Sequence, residues 1–214
     1  MELSMILAGM GPGLSMGIAR RFGQAGYRIG MISRNAEKLA AYQAELSGEG
    51  IHTAYAAADL SDTGQLLEAL AALQAQLGRV DLLIYNAVDA RYVHVLEDRA
   101  DDLVKGFRLG VANALAAVQA LLPELQRTGG AVILTGGGTA LRPYPAMASI
   151  SLSKAGIRNL AYQLHEALAP QGVFAGTVTV MGQIQAESAT HSPERLAEQF
   201  WLLNERRDAA ELKY

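Results

Sequence analysis

The feature that most constrains the fold is a regular alternation of short apolar segments with longer segments of helical character. Strands joined by helices at this spacing form βαβ units, because two parallel neighbours need a crossover between them. Runs such as "MILA", "DLLIY" and "AVILT" are apolar at successive positions, as strands covered on both faces are. The pattern therefore predicts an α/β fold, a doubly wound parallel sheet, in a single domain spanning 1–214.

The boundaries of the predicted elements follow from the same pattern. The strands are "LSMILA", "YRIGMI", "IHTAYAA", "VDLLIY", "GAVILT", "VFAGTVTV" and a short final "ELKY". The helices cover 14–25, 35–46, 62–77, about 101–126, 151–168 and 193–207. The stretch 87–99 has mixed character and follows a central strand, so we predict a loop there, at the edge of the sheet that faces a ligand.

Composition excludes several classes of function. A net charge of −3 offers no cationic field for nucleic acid, and the absence of cysteine excludes disulfides, thiolate zinc sites and a cysteine nucleophile. The four histidines are scattered, so no metal is expected. The apolar run in "MELSMILAGMGPG" is too short for a signal peptide or a membrane span, which predicts a cytoplasmic protein with no membrane partner.

A glycine-rich turn, "AGMGPGLSMGIA", lies between the first strand and the first helix. It contains Gly9, Gly11 and Gly13, and Leu14 opens the helix. Glycines at this place let the backbone approach a pyrophosphate, whose charge is stabilised at the helix N-terminus. A plain tight turn containing Pro12 is the alternative, but three glycines in five residues exceed what such a turn needs, which favours phosphate binding.

The ends of the second and third strands bear on the choice of nucleotide. The second strand ends in Ser33 and Arg34, where a carboxylate would bind the ribose 2′-hydroxyl of NAD and an arginine can accommodate the 2′-phosphate of NADP. This favours NADP(H) over NAD(H), and the alternative is a solvated arginine beside a helix cap. Asp59, after "YAAA", could face an adenine ring or could serve as a cap or turn residue.

Five segments resemble the short-chain dehydrogenase/reductase family, in matching order over nearly the whole chain. They are "AGMGPGLSMGIA", "AADL", "IYNA", "SLSKAGIRNLAYQLHEAL" and "VTVMGQI". The resemblance implies a seven-stranded Rossmann fold that binds a nicotinamide dinucleotide. Carried over by position, the cofactor-binding residues that the resemblance implies at the glycine turn and after strands three and four are Gly9, Gly13, Asp59, Asn86 and Ala87. The full predicted set adds Gly11, Leu14, Ser33, Arg34, Leu60, Lys154, Gly182 and Ile184. Two departures are Ser15 and Val88, at positions where the family usually has glycine.

The catalytic positions implied by the resemblance are largely replaced. Lys154 matches the family's lysine, which binds the nicotinamide ribose; a lysine extending to solvent is the alternative. The family's tyrosine falls on Ile150, its serine on Gly136 or Gly137, and its asparagine on Gly110, with Asn113 not an equivalent. We expect the glycines at 136–138 to leave space beside the nicotinamide.

Another group would then have to donate the proton. Tyr144, between two prolines that restrict the backbone, is the first candidate and is predicted to be catalytic together with Lys154. The remaining candidates lie near the same predicted pocket, and each is more often a packing or rim residue: Tyr85, Tyr92, His94, Thr135, Thr139 and Ser149.

The residues after the sixth predicted strand indicate a lid over the site. Met181 takes the place of the family's usual proline and Gly182 is kept, and 183–192 has the small and polar character of a lid. Pro193 suits the first turn of a helix after Ser192, and 193–214 supplies that helix and a short edge strand. Relatives associate through the helices at 101–126 and 151–168, which implies a homo-oligomer.

These observations leave functions of different classes open. The first is an NADP(H)-dependent oxidoreductase that reduces a small carbonyl or activated alkene with a non-standard proton donor. The second is a catalytically inactive NADP(H)-binding sensor or regulatory subunit. A structural subunit without nucleotide is the third, and the glycine turn and Arg34 argue against it.

Overall fold

The computed structural model describes residues 2–214 and arranges parallel strands into one seven-stranded sheet with the order β3-β2-β1-β4-β5-β6-β7. The strands are β1 Ser4–Ala8, β2 Arg28–Ser33, β3 Thr53–Ala57, β4 Leu82–Tyr85, β5 Ala131–Gly137, β6 Phe174–Val180 and β7 Glu211–Lys213. The helices are α1 Leu14–Gln24, α2 Ala36–Gly48, α3 Thr63–Leu77, α4 Ala100–Phe107, α5 Asn113–Thr128, α6 Ala148–Leu168 and α7 Pro193–Arg206.

The sheet is covered on both faces, as the doubly wound pattern predicts. Alternate residues of β1 point into different cores: Ile6 packs with α3, α5 and α6, whereas Met5 packs with α1, α2 and α7. The strand order reverses between β1 and β4, whose last residues Ala8 and Tyr85 are paired in register. Since ligands of open α/β sheets bind in the crevice at such a reversal, the fold places the candidate site beyond Ala8 and Tyr85.

Two element boundaries differ from the sequence prediction in ways that affect the site. β5 continues to Gly137, so that Gly136 pairs with Thr179 and Gly137 with Val180 of β6. Helix α6 begins at Ala148 instead of at 151, because Met147 precedes it in a 3₁₀ turn that leads directly into the helix. Lys154 therefore lies inside α6 and not at its start.

The other elements lie where the sequence predicts them, and one predicted helix is divided. Within the described chain, residues 86–99 contain neither helix nor strand, which confirms the loop predicted after β4. The predicted helix at 101–126 is divided by a wider π-helical turn at Arg108–Ala112. The final "ELKY" forms β7, which pairs in parallel with β6. None of the helices in residues 2–214 combines the length and hydropathy needed to cross a membrane.

Candidate functional site

The glycine turn after β1 is shaped by one glycine and left open by two. Gly9 has φ +97°, and a Cβ built on it would lie 2.7 Å from the backbone nitrogen of Ala87. Nothing lies within 4 Å of the corresponding positions at Gly11 and Gly13. Gly13 immediately precedes α1, so the open turn faces the N-terminus of that helix. An anion could thus reach the backbone at this point, as a pyrophosphate requires.

The departure at Ser15 strengthens this turn. The Ser15 hydroxyl donates to the carbonyl of Gly9 (2.8 Å) and accepts from the Asn86 side-chain nitrogen (2.7 Å). The backbone nitrogen of Asn86 donates in turn to the Ala8 carbonyl (2.8 Å). The serine side chain therefore joins the glycine turn to the end of β4, using a bond that glycine could not make.

The ends of β2 and β3 bring Arg34 and Asp59 close together. One Asp59 carboxylate oxygen accepts from the Ser61 backbone nitrogen (2.9 Å) and hydroxyl (2.8 Å), and these bonds lower the pKa of Asp59. The positive charge of Arg34, whose side chain is exposed, lowers it further. Asp59 is a turn residue; the cap of α3 is Asp62, which accepts from the Gln65 backbone nitrogen.

Lys154 points toward the sheet. Its ammonium donates to the carbonyl of Thr135 near the end of β5, with 2.7 Å between the nitrogen and the oxygen. Burial lowers the pKa of Lys154 to about 8. The alternative of a lysine that extends to solvent is therefore wrong.

The glycines at the end of β5 are closely surrounded. A Cβ on Gly136 would lie 2.6 Å from the Thr179 hydroxyl, and a Cβ on Gly137 would lie 3.2 Å from Cγ of Lys154. The expectation that these glycines leave free space is wrong at both positions, because threonine side chains of β6 and the stem of Lys154 occupy it. Of the two candidates for the family's serine position, Gly137 is the one that faces the lysine.

The positions that the resemblance assigns to the family's tyrosine and asparagine lie in α6 and in the π-helical turn. Ile150 lies four residues before Lys154 within α6, so both side chains share one face of the helix. Gly110 lies in the π-helical turn, where a Cβ would be 3.0 Å from Cβ of Ser153. The buried side chain of Asn113 donates to the Leu60 carbonyl (2.7 Å), which supports the interpretation that it is not an equivalent of the family's asparagine.

The candidate proton donors differ in what they can reach. Tyr144 is 57% exposed, and its phenol makes no hydrogen bond within the described residues. Its backbone nitrogen donates to the Ser151 hydroxyl, and its carbonyl accepts from the Met147 backbone nitrogen. Tyr85 is fully buried and donates to the Leu109 carbonyl (2.7 Å), while burial raises its pKa. Tyr85 is therefore unsuited to proton donation, whereas Tyr144 is free to turn toward the site.

The hydroxyl candidates on β5 and the turn after it are free of side-chain and backbone partners. Within the described residues, the buried hydroxyls of Thr135 and Thr139 make no hydrogen bond. Ser149 donates to Asp89, so its hydroxyl is already in use. Tyr92 is 72% exposed, and the His94 ring accepts from the Leu96 backbone nitrogen (3.3 Å).

The segment that follows β6 turns back, so that its later residues contact its first ones. A Cβ on Gly182 would lie 2.7 Å from the His191 ring, and that ring packs against Tyr214 with centroids 5.6 Å apart. Ile184 and Met181 are exposed at the same end of the sheet. The Ser192 hydroxyl caps α7 and Pro193 opens it, as predicted.

Sequence reasoning missed two features around the site. Gly17 lets the start of α7 approach α1, because its Cβ would lie 2.7 Å from the Pro193 carbonyl oxygen. It also missed an ion-paired cluster in the loop after β4, formed by Asp89, Arg91 and Asp98. The alternation of charges in "DARYVHVLED" was the available signal for this cluster.

A family model described as short chain dehydrogenase matches residues 4–195. The chain belongs to the short-chain dehydrogenase/reductase family. Dehydrogenase/reductase SDR family member 4 of Sus scrofa is 27% identical over 164 residues, which are 75% of this chain and 58% of the relative. The 2,3-dihydro-2,3-dihydroxybenzoate dehydrogenase of Bacillus subtilis is 28% identical over 152 residues, 70% of this chain and 58% of that protein. The chain thus matches less than two thirds of the length of either relative.

Solved structures show the same Rossmann-type oxidoreductase fold at low sequence identity. A metagenomic short-chain oxidoreductase in complex with NADP superposes with a TM-score of 0.86 at 21% identity, covering 99% of this chain and 96% of that one. A mutant actinorhodin polyketide ketoreductase with NADPH superposes with a TM-score of 0.90 at 18% identity, covering 99% and 95%. The likeness confirms the predicted fold.

Proposed function

We propose that the protein is an NADP(H)-dependent oxidoreductase that reduces a small carbonyl or an activated alkene with a proton donor other than the family's tyrosine. The observation that carries the proposal is the open glycine turn at Gly11 and Gly13, on the same edge of the sheet at which Lys154 of α6 binds the end of β5. A nicotinamide dinucleotide spans this edge when it is bound to a doubly wound sheet.

The residues present fit such a cofactor. The empty Cβ positions at Gly11 and Gly13 form a cradle that any other residue would fill, and the N-terminus of α1 favours a negative charge there. When bound, the nicotinamide would supply the hydride. The proposed binding residues, in order along the chain, are Gly9, Gly11, Gly13, Leu14, Ser33, Arg34, Asp59, Leu60, Asn86, Ala87, Lys154, Gly182 and Ile184.

The preference for NADP(H) rests on Arg34. β2 ends at Ser33 and Arg34 follows it, so neither residue at this point offers a carboxylate to a ribose 2′-hydroxyl, and the exposed guanidinium of Arg34 can pair with a phosphate. The NADP and NADPH named in the titles of two structural neighbours support a nicotinamide dinucleotide in general.

Tyr144 is the proposed proton donor, because it lies in the connection between β5 and α6 and its exposed phenol makes no hydrogen bond within the described chain. Tyr144→Phe should lower any NADPH-dependent carbonyl reduction by about 10²-fold or more. Tyr92→Phe, which removes another exposed phenol from the loop after β4, is the matched control. Unchanged turnover in Tyr144→Phe would remove this residue from the mechanism.

The replaced catalytic positions favour a second candidate function. Ile150 has no proton to give, and Gly137 has no hydroxyl beside Lys154. A protein with these residues could bind NADP(H) without turnover and act as a sensor or regulatory subunit. Tight binding of NADPH with no oxidation across a panel of ketones, aldehydes and enones would favour this function over the enzyme.

A calorimetric titration with NADPH and NADH tests both functions at once. We expect micromolar binding of NADPH, tighter than that of NADH. Arg34→Ala should remove the preference, and Lys154→Ala should weaken both nucleotides. Lys38→Ala, which removes an exposed lysine from α2, is the matched control. Failure of the unmodified protein to bind either nucleotide would contradict the enzyme and the sensor together.

We also propose a homo-oligomer formed through α4, α5 and α6. Large apolar side chains on two of these helices are exposed in the single chain: Val104, Phe107 and Leu152. Light scattering behind a sizing column measures the assembly, and Phe107→Ser should shift it toward the monomer if the interface lies there.

A further inference from the structure

Three segments meet in a polar junction beside the candidate site. The Ser149 hydroxyl, at the start of α6, donates to an Asp89 carboxylate oxygen (2.8 Å) in the loop after β4. Gly106 of α4 faces both groups: a Cβ on it would overlap the Ser149 hydroxyl and lie 2.9 Å from the same Asp89 oxygen. A glycine in the interior of α4 is thus required by this junction, against its weak helix propensity.

Arg91 braces the loop side of the junction. Its Nε donates to Asp89 (2.7 Å) and its Nη1 donates to Asp98 (2.9 Å), whose side chain is only 1% exposed. A guanidinium held between two carboxylates has a defined orientation, because its donors lie in a rigid plane. The loop between Asp89 and Asp98 is therefore tied together, and Ser149 ties it to α6.

The junction stands between the two halves of the proposed site. Asp89 follows Asn86 and Ala87 in the chain, and Ser149 precedes Lys154 by little more than one turn of α6. We infer that Asp89 is a positioning residue, which sets where the loop after β4 lies relative to the helix that carries Lys154. The inference rests on the proposed nucleotide binding for its effect on affinity, but its effect on Lys154 can be measured without nucleotide.

A second aspartate in a similar ion pair provides a matched control at the opposite edge of the sheet. Asp81 precedes β4, is 6% exposed, accepts from Arg79 Nε (2.6 Å) and accepts from the Ser4 backbone nitrogen (2.9 Å). Both aspartates pair with an arginine two residues away and accept one further bond. Only Asp89, however, lies at the edge that carries Lys154.

The first experiment compares Asp89→Ala, Asp89→Asn and Asp81→Ala by NADPH titration and thermal unfolding. We expect both alanine variants to melt at lower temperature, but only Asp89→Ala to weaken NADPH binding, by about tenfold or more, since misplaced binding groups lose affinity steeply. Asp89→Asn should recover part of that loss, because its amide oxygen can still accept from Ser149 or Arg91. Equal losses of affinity in the two alanine variants would show a merely structural role.

The second experiment measures the pKa of the Lys154 amine by NMR of the isotope-labelled protein without nucleotide. Removing the Asp89 carboxylate takes away a negative charge, and this effect alone would lower the pKa of Lys154. A rise in that pKa therefore indicates that the amine has moved to a more hydrated position. We expect Asp89→Ala to raise the Lys154 pKa from about 8 toward 10.5, and Asp81→Ala to leave it unchanged. An unchanged pKa in Asp89→Ala would overturn the inference even where NADPH fails to bind the unmodified protein.

Ser149→Ala covers the case in which Asp89→Ala does not fold. It removes one hydroxyl and leaves the pairs of Arg91 with Asp89 and Asp98 in place. It should change NADPH affinity and the Lys154 pKa in the same directions as Asp89→Ala, by smaller amounts. No change in either quantity would contradict a role for the junction in positioning α6.

Discussion

Two glycine-rich strand ends face the same edge of the sheet, and they use glycine for opposite reasons. After β1, Gly11 and Gly13 have nothing within 4 Å of a Cβ position, so the backbone there is open to a ligand. At the end of β5, a Cβ on Gly136 would lie 2.6 Å from a threonine hydroxyl, and a Cβ on Gly137 would lie 3.2 Å from the stem of Lys154. The first set of glycines makes room for something outside the chain, and the second makes room for the chain's own side chains.

This difference separates the nucleotide half of the proposed site from its catalytic half. The turn after β1 retains the geometry that a pyrophosphate needs, and Ser15 braces it. At the end of β5, the stem of Lys154 lies against Gly137, which has no hydroxyl, and the Lys154 ammonium bonds to the Thr135 carbonyl. The nucleotide half of the site is therefore better supported by the structure than the catalytic half.

The largest expected effect is that of Gly9→Ala in the turn after β1. The left-handed φ and the overlap with the Ala87 backbone, 2.7 Å from the new Cβ, should lower the free energy of unfolding. The expected loss is about 3 kcal/mol or more, measured by urea denaturation. Gly11→Ala, with open space around it, should stay within about 0.5 kcal/mol of the unmodified protein yet weaken NADPH binding. Equal stability losses at the two glycines would break the comparison.

Gly136→Ala should be the next most damaging substitution. Its Cβ would lie 2.6 Å from the Thr179 hydroxyl and 2.8 Å from the Thr177 hydroxyl, which bond to Glu211 and Leu134. Disturbing both bonds should cost about 2 kcal/mol in urea denaturation. Gly138→Ala, whose nearest neighbour would be at 3.4 Å, is the control and should be nearly neutral. A neutral Gly136→Ala would mean that the end of β5 is as open as the turn after β1.

Lys154→Met should remove a pH dependence of stability. Burial places the Lys154 pKa at about 8 in the folded protein against 10.5 ordinarily, so the unfolded chain binds more protons between these values. The free energy of unfolding should therefore rise with pH across that window in the unmodified protein, relative to Lys154→Met. The expected rise is about 2 kcal/mol after allowance for partial exposure. If the free energies of unfolding of the two proteins changed in parallel from pH 7 to about 10.5, the lysine would be solvated in the folded protein.

Gly137→Ala should have the smallest effect on stability and a clear effect on the lysine. Its Cβ would meet the flexible stem of Lys154 at 3.2 Å from Cγ and 3.4 Å from Cδ, so the stem can shift at a cost below about 1 kcal/mol. The shift should move the ammonium away from Thr135 into a more hydrated position, and the reduced burial should raise the Lys154 pKa above 8, as measured by NMR. A pKa that stays at about 8 would place the stem away from Gly137 in solution.

Much of the nucleotide half could be predicted from the sequence because its signals are local. A glycine turn between a strand and a helix uses residues adjacent in the chain, and Gly9, Gly11 and Gly13 are recognisable by spacing alone. The catalytic half could be predicted only as a set of alternatives. Gly136 and Gly137 are identical neighbours in the sequence, and only their pairing with Thr179 and Val180 shows which one faces Lys154.

The sequence by itself determined the parallel sheet, the placing of the glycine turn and the isoleucine four residues before Lys154, because periodicity, spacing and residue identity are properties of the chain. The tertiary structure alone decided where the Lys154 ammonium binds, what fills the space at Gly137, and that Asp89 meets Ser149 across 60 residues of sequence. Each of these depends on contacts between distant segments, whose distances are set by the packing of α6 against the sheet and of α4 against α6, and by no local pattern.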